Sequence, residues 1–154
     1  MSLRLVDIWL FMDPYHHTAI DDLESFLWLT VWCIYRIIED KGQLDERGNF
    51  ALETLRSTSI KEHAGARGNV LDRLVKARTL HPLLALFQPL LSRWRRISDE
   101  GAQEISNLLK STTSPENDAL RDLTLKYAQE YLSHGFSYLA NFPQSWGPCF
   151  PPEE

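Results

Sequence analysis

The chain has 154 residues, the length of one domain, and an ordinary globular composition of 44% hydrophobic, 24% charged and 11% aromatic residues. Its formal net charge of −5 argues against nucleic acid as a partner, because a phosphate backbone needs a positive field. The two cysteines, Cys33 in an apolar run and Cys149 in a Pro-rich tail, make neither a zinc spacing nor a disulfide framework, and they point to a reducing, intracellular setting in cytoplasm or nucleus.

Residues 1–20 show no helical period. Pro14, His16-His17 and Thr18 suggest an irregular lead-in. Arg4 is followed by a short apolar stretch that Asp7 and Asp13 interrupt, which is not the pattern of a signal peptide. Asp21-Asp22-Leu23-Glu24 then reads as a capping-box-like helix start, and its acids suit the positive end of the helix dipole. The helix behind it runs from Leu23 to about Glu39, with apolar residues on nearly every face. Such a helix is expected to be enclosed by other elements. Leu23 to Ile38 is 16 residues, short of the roughly 20 that span a bilayer, and it carries Glu24 and Arg36, so no membrane partner is expected. Lys41-Gly42 supplies the stop.

Residues 42–49 are polar and read as a loop, followed by a short helix from Phe50 to Ser57. Ile60 to Gly68 reads as a helical turn or loop. Val70 to Arg78 reads as a helix with Val70, Leu71, Leu74 and Val75 on one face. Pro82 suits the first turn of a helix reaching about Ile97, and Pro89 should kink it. A separate helix from Asp99 to Lys110, capped by Ser98, comes next. Residues 111–115 break the pattern. Glu116 to Leu139 forms a long amphipathic helix with Leu120, Leu123, Tyr127, Tyr131 and Leu132 at suitable spacing, weakened at its end by Gly135. Phe142 to Glu154 holds four prolines and should be extended. No stretch alternates with a period of two. The expected fold is all-α, a single domain with a helical body over 21–140 and an extended tail over 141–154.

Few constellations suggest chemistry. His16-His17 with Asp21-Asp22 could be drawn as a metal site, but adjacent histidines point in different directions and no third cluster joins them. Ser25, His134 and Asp118 could be drawn as a triad, yet no Gly-x-Ser-x-Gly elbow supports it. His63 is isolated, and His81 reads as part of a helix start. Trp28, Trp32 and Tyr35 fall along one helical stripe and read as core. Arg93-Trp94-Arg95-Arg96 could hold an acidic peptide, but a solvated helix end explains it as well. No catalytic residue, cofactor or metal ligand is assigned on these grounds.

One segment carries a resemblance. Phe11-Met12, then His17-Thr18-Ala19-Ile20-Asp21-Asp22-Leu23-Glu24-Ser25-Phe26-Leu27-Trp28 and the apolar helix continuing to Arg36, resembles the fungal-type protein kinase family (the FunK1-like group). In that family the element is the buried central helix of the C-terminal lobe. The resemblance implies a partial kinase-like domain, the helical C-lobe, over residues 1–154. It implies that Asp22 matches the aspartate that starts this helix and holds the catalytic-loop backbone. On the residues alone, Asp22 or Asp21 simply caps a helix. Phosphoryl transfer needs a glycine-rich loop, a phosphate-pairing lysine, an H-R-D-type loop and a D-F-G-type aspartate. No G-x-G, His-Arg-Asp or Asp-Phe-Gly occurs in the chain, so phosphotransfer is not expected of it.

Two readings follow. One is a C-lobe remnant whose full-length parent would be a Ser/Thr-type kinase or a pseudokinase. The other is a free-standing helical module that binds a protein partner. A hydrolase is a weaker third. If the elements that enclose the central helix in a kinase are missing, the face carrying Phe26, Trp28 or Leu29 should be less covered than a core helix, unless Leu3, Leu5, Ile8, Trp9 and Leu10 fold over it.

Overall fold

The computed structural model describes residues 18–56, 69–70, 74, 80–111 and 117–142. Four helices organise them: α1 (Ala19–Asp40), α2 (Glu46–Arg56), α3 (Pro82–Ser111) and α4 (Asn117–Ala140). Asn69, Val70 and Leu74 are also helical, and no strand occurs among the described residues. The expected all-α class is therefore observed. The expectations on His16, His17, His63, Cys149, the 1–10 segment and the Pro-rich tail beyond Phe142 lie outside the described residues.

Helix α1 starts four residues before Leu23, where the sequence pattern places its first helical residue. Its N-cap is Thr18, with extended backbone at φ −130° and ψ 158°. The N3 residue is Asp21, whose carboxylate accepts from the Thr18 backbone N–H at 3.0 Å and from the Thr18 hydroxyl at 3.1 Å. The capping box is therefore Thr18-x-x-Asp21, one turn earlier than the expected Asp21-x-x-Glu24. Glu24 is buried and accepts from the Trp28 indole N–H at 3.0 Å. The predicted stop holds. Gly42 takes φ +66°, its N–H donates to the Glu39 carbonyl at 2.8 Å, and the Gln43 N–H donates to the Ile38 carbonyl at 3.1 Å. These two bonds form a Schellman closure, which glycine enters without Cβ strain.

Helix α2 begins at Glu46, inside the expected loop. Asp45 caps it, accepting from the Gly48 N–H at 2.7 Å. Helix α3 is one 30-residue rod of about 45 Å, not two helices parted at Ser98. Pairs of Arg95 with Asp99 and Arg96 with Glu100 bridge the expected junction, and the buried stripe continues through Ile97, Gly101 and Ile105. The rod also runs through Pro89. Pro89 denies the Ala85 carbonyl its helical donor, and Ala85 is exposed, where water can supply one. Helix α4 continues past Gly135. A Cβ there would stand 3.0 Å from the Trp94 ring, so glycine at this position lets α4 approach α3 closely.

Helices α3 and α4 pack against each other most extensively. Helix α1 lies on both, and α2 covers the C-terminal half of α1. Two apolar clusters result. One joins Leu27, Val31, Ile34 and Ile38 of α1 to Leu52, Val70, Leu74, Leu83 and Leu91. The other joins Ile20 and Leu23 to Ile97, Ile105, Tyr127 and Tyr131. Trp94 touches both. Its ring stacks on Tyr131 at 4.4 Å between centroids, and its Nε1–H donates to the Tyr131 carbonyl at 3.0 Å.

Candidate functional site

Two features stand out around α1, an uncovered face and a cleft at its C-terminal end. The uncovered face corrects the expectation of an all-round enclosed helix. Asp22, Phe26, Leu29, Cys33 and Ile37 recur at intervals of three and four, so they form one stripe, and all five are exposed. Phe26 and Leu29 expose 58% and 54% of their surface. Helices α2, α3 and α4 approach from the other side. The expected shortage of cover thus holds for Phe26 and Leu29 but not for Trp28, which is buried with its indole N–H on Glu24. The Trp28, Trp32 and Tyr35 stripe divides in the same way: Trp28 and Tyr35 are buried, whereas Trp32 is exposed.

Asp22 lies in the first turn of α1 at the head of this stripe, exposed to solvent, while its neighbour Asp21 is the buried acid that closes the cap. The carboxylate of the capping box at the helix start is Asp21, whereas the resemblance points to Asp22.

The drawn triad does not assemble. The Ser25 hydroxyl donates to the Asp21 carbonyl at 3.1 Å, His134 accepts from Arg93 Nε at 2.9 Å, and Asp118 pairs with Arg121 at 3.3 Å. Arg93, Arg95 and Arg96 sit mid-helix rather than at a helix end. Arg93 binds Glu130 and His134 of α4, and the other two pair with Asp99 and Glu100 on α3 itself. Among the described residues, no group of three His, Cys, Asp or Glu side chains could hold a metal ion, and no helix is long and apolar enough to cross a membrane.

The cleft opens between the end of α1, the start of α2 and the start of α3, with a volume of about 770 Å³. Its floor is apolar, formed in part by Ile38, Ala51, Leu74 and Leu84, all buried. Five polar side chains, Tyr35, Gln43, Asp45, Arg47 and His81, line it. His81 caps α3, its Nδ1 accepting from the Leu83 N–H at 3.2 Å, so the ring proton sits on Nε2 and points to Gln43 Oε1 at 2.9 Å. Burial lowers the His81 pKa, and the Asp45 carboxylate partly opposes that shift. Burial, then the same carboxylate, pushes the Tyr35 phenol up to about 12. The Tyr35 hydroxyl has no hydrogen-bond partner among the described residues. The sequence signals for this cleft were local ones, Asp45-x-x-Gly48 as a cap and His81 before Pro82, and neither indicated that the two caps meet.

The sequence matches no family model, no curated protein and no solved structure.

Proposed function

We propose that this chain is a helical protein-interaction module that carries out no phosphotransfer itself, and that the Asp22–Phe26–Leu29–Cys33–Ile37 face of α1 receives an amphipathic polypeptide segment. The observation that carries this reading is the continuous exposed apolar stripe on a helix whose other side is core. Scattered exposed apolar residues are ordinary, but a stripe in helical register is the shape that accepts another helix.

A second reading, the C-lobe remnant of a fungal-type kinase, is favoured by one observation. Asp22, the position the resemblance pairs with the catalytic loop, heads the same uncovered stripe. On that reading the stripe is where the catalytic-loop region of a longer polypeptide would pack.

The test uses the full chain with Cys149→Ser, a fluorescein-labelled amphipathic peptide with leucines at i, i+3, i+7 and i+10 and a lysine at one end, and a peptide with serines in place of the leucines. The leucine peptide should raise fluorescence anisotropy and slow alkylation of the exposed Cys33 thiol, and the serine peptide should do neither. Mg²⁺-ATP should leave the melting temperature unchanged, since a ligand that binds only the folded state must raise it. Unprotected Cys33 at saturating peptide, or a magnesium-dependent rise with ATP, would overturn the proposal.

A further inference from the structure

We infer that the outward face of α4, built on Leu125, Leu132, Phe136 and Leu139, pairs with the same face of a second copy of this chain, the two helices antiparallel about a two-fold axis at Leu132. The face lies on a different helix from the uncovered stripe of α1, and the inference is independent of the reading given to that stripe.

Helix α4 is apolar on two opposite sides. On one, Tyr127 and Tyr131 are buried with residues of α1 and α3. On the other, Leu125, Leu132 and Leu139 recur at intervals of seven, which returns the helix to nearly the same side after two turns, and Phe136 stands four residues beyond Leu132. Phe136 and Leu139 expose 69% and 61% of their surface, and Leu125 and Leu132 expose 49% and 50%. Leu132, grouped by sequence with the packed residues, therefore belongs to the outer face. The charged side chains between Leu125 and Leu139 are turned to α3. Lys126 reaches Glu104 at 3.3 Å, Glu130 pairs with Arg93, and His134 Nε2 accepts from Arg93 Nε at 2.9 Å. What remains outside is an uncharged leucine stripe with a period of seven, the pattern by which helices pair along a seam.

The choice of a second copy follows from the register. Leu125 and Leu139 lie seven residues on either side of Leu132. A two-fold axis at Leu132 therefore sets Leu125 against the partner's Leu139 and Leu132 against its own counterpart. The same operation sets Phe136, the most exposed of the four, against the partner's Ala128, a small residue at the edge of the face, so bulk meets space in both halves of the seam. A parallel pair would instead face Phe136 with Phe136 and align the helix dipoles, which the antiparallel pair opposes. Since the face carries no charge, two copies bring no like charges together across it. Area sets the strength. Four large side chains, each about half exposed or more, offer on the order of 400 Å² per copy, against the roughly 800 Å² per partner of a standard stable interface. The pair is accordingly weak and reversible, formed at high concentration and lost on dilution.

The test uses the full chain carrying Cys33→Ser and Cys149→Ser, which removes both native thiols. In sedimentation equilibrium its average mass should rise from one chain toward two as the concentration passes through about 100 µM, the range expected of a small interface. Leu132→Lys should hold it at one chain throughout, because the axis would bring two ammonium groups together. Disulfide trapping then reads the register. In the thiol-free chain, Leu132→Cys should crosslink to its own kind under mild oxidation with diamide. Leu125→Cys and Leu139→Cys should crosslink to each other when mixed, about tenfold faster than either does alone. A one-chain mass up to millimolar concentration, a Leu132→Lys chain that still dimerises, or Leu125→Cys that joins itself as fast as it joins Leu139→Cys would each overturn the inference. The trapping needs only single cysteines at exposed positions, so it decides the matter even if the lysine disturbs folding.

Discussion

The two sides of α1 are made of similar residues and meet opposite surroundings. On one side Leu27 and Val31 are fully buried, with Ile34 and Ile38 continuing the stripe into the larger core cluster. On the other, Phe26, Leu29 and Ile37 are as apolar but stand in solvent, together with the Cys33 thiol. The difference lies in the neighbours. Helices α2, α3 and α4 all arrive from the Leu27 side. Apolar content alone therefore does not tell a core face from a docking face; the direction of the packing elements decides.

The comparison is broken most severely by substitution on the covered side. Leu27→Ala should cost about 2–5 kcal/mol, since a fully buried leucine leaves a cavity, whereas Leu29→Ala should stay within about 0.5 kcal/mol. Urea unfolding of the two variants checks this, and similar losses would mean that both faces are core.

Alkaline pH offers a second contrast. The folded state holds the Tyr35 phenol at about 12, above its ordinary value of 10, and raises Tyr131 in the same direction through burial, then through Glu24. A phenol with a raised folded pKa adds stability that is complete below pH 10 and lost as pH climbs toward the folded value, because only the unfolded chain ionises in that window. Stability should therefore fall from pH 10 upward, and Tyr35→Phe and Tyr131→Phe should each flatten that fall. Melting curves across pH 9 to 12 would reveal it, and an unchanged slope in both variants would contradict the assignment.

Smaller effects lie at the helix contacts and ends. Gly101→Ala would place a Cβ 2.4 Å from Ile20 Cδ1 and 3.1 Å from the Tyr127 ring. Overpacking of about 1–3 kcal/mol should outweigh the roughly 1 kcal/mol that alanine adds to helix propensity, so thermal unfolding should show a net loss. Thr18→Ala should cost about 1 kcal/mol through the lost cap, and an unchanged melting temperature in that variant would contradict the Thr18–Asp21 capping box.

Much of the fold was legible because it is local. The Lys41-Gly42 stop and the bounds of α4 follow from glycine chemistry and apolar spacing and were met within a residue or two. Local signals also misled. The sequence pattern puts the capping box at Asp21-x-x-Glu24, whereas Thr18 and Asp21 form it and Glu24 is buried against Trp28. Ser98-Asp99 imitates a cap, but Ser98 is buried mid-helix and Asp99 is spent on Arg95. The cleft was not legible at all, because Tyr35, Asp45 and His81 become neighbours only when α1, α2 and α3 are packed. The uncovered stripe was half legible: a shortage of cover was expected on this side of α1, but only packing could separate Phe26 and Leu29 from Trp28.

The most direct test of the central claim is a paired measurement on the Phe26→Gln, Leu29→Gln double variant, comparing its urea midpoint and its binding of the leucine-bearing peptide with those of the unaltered chain. If this side of α1 is a docking face, the midpoint is unchanged within error and peptide binding is lost. A collapse of the midpoint would show that the face is part of the core, and intact stability with undiminished binding would show that the peptide sits elsewhere.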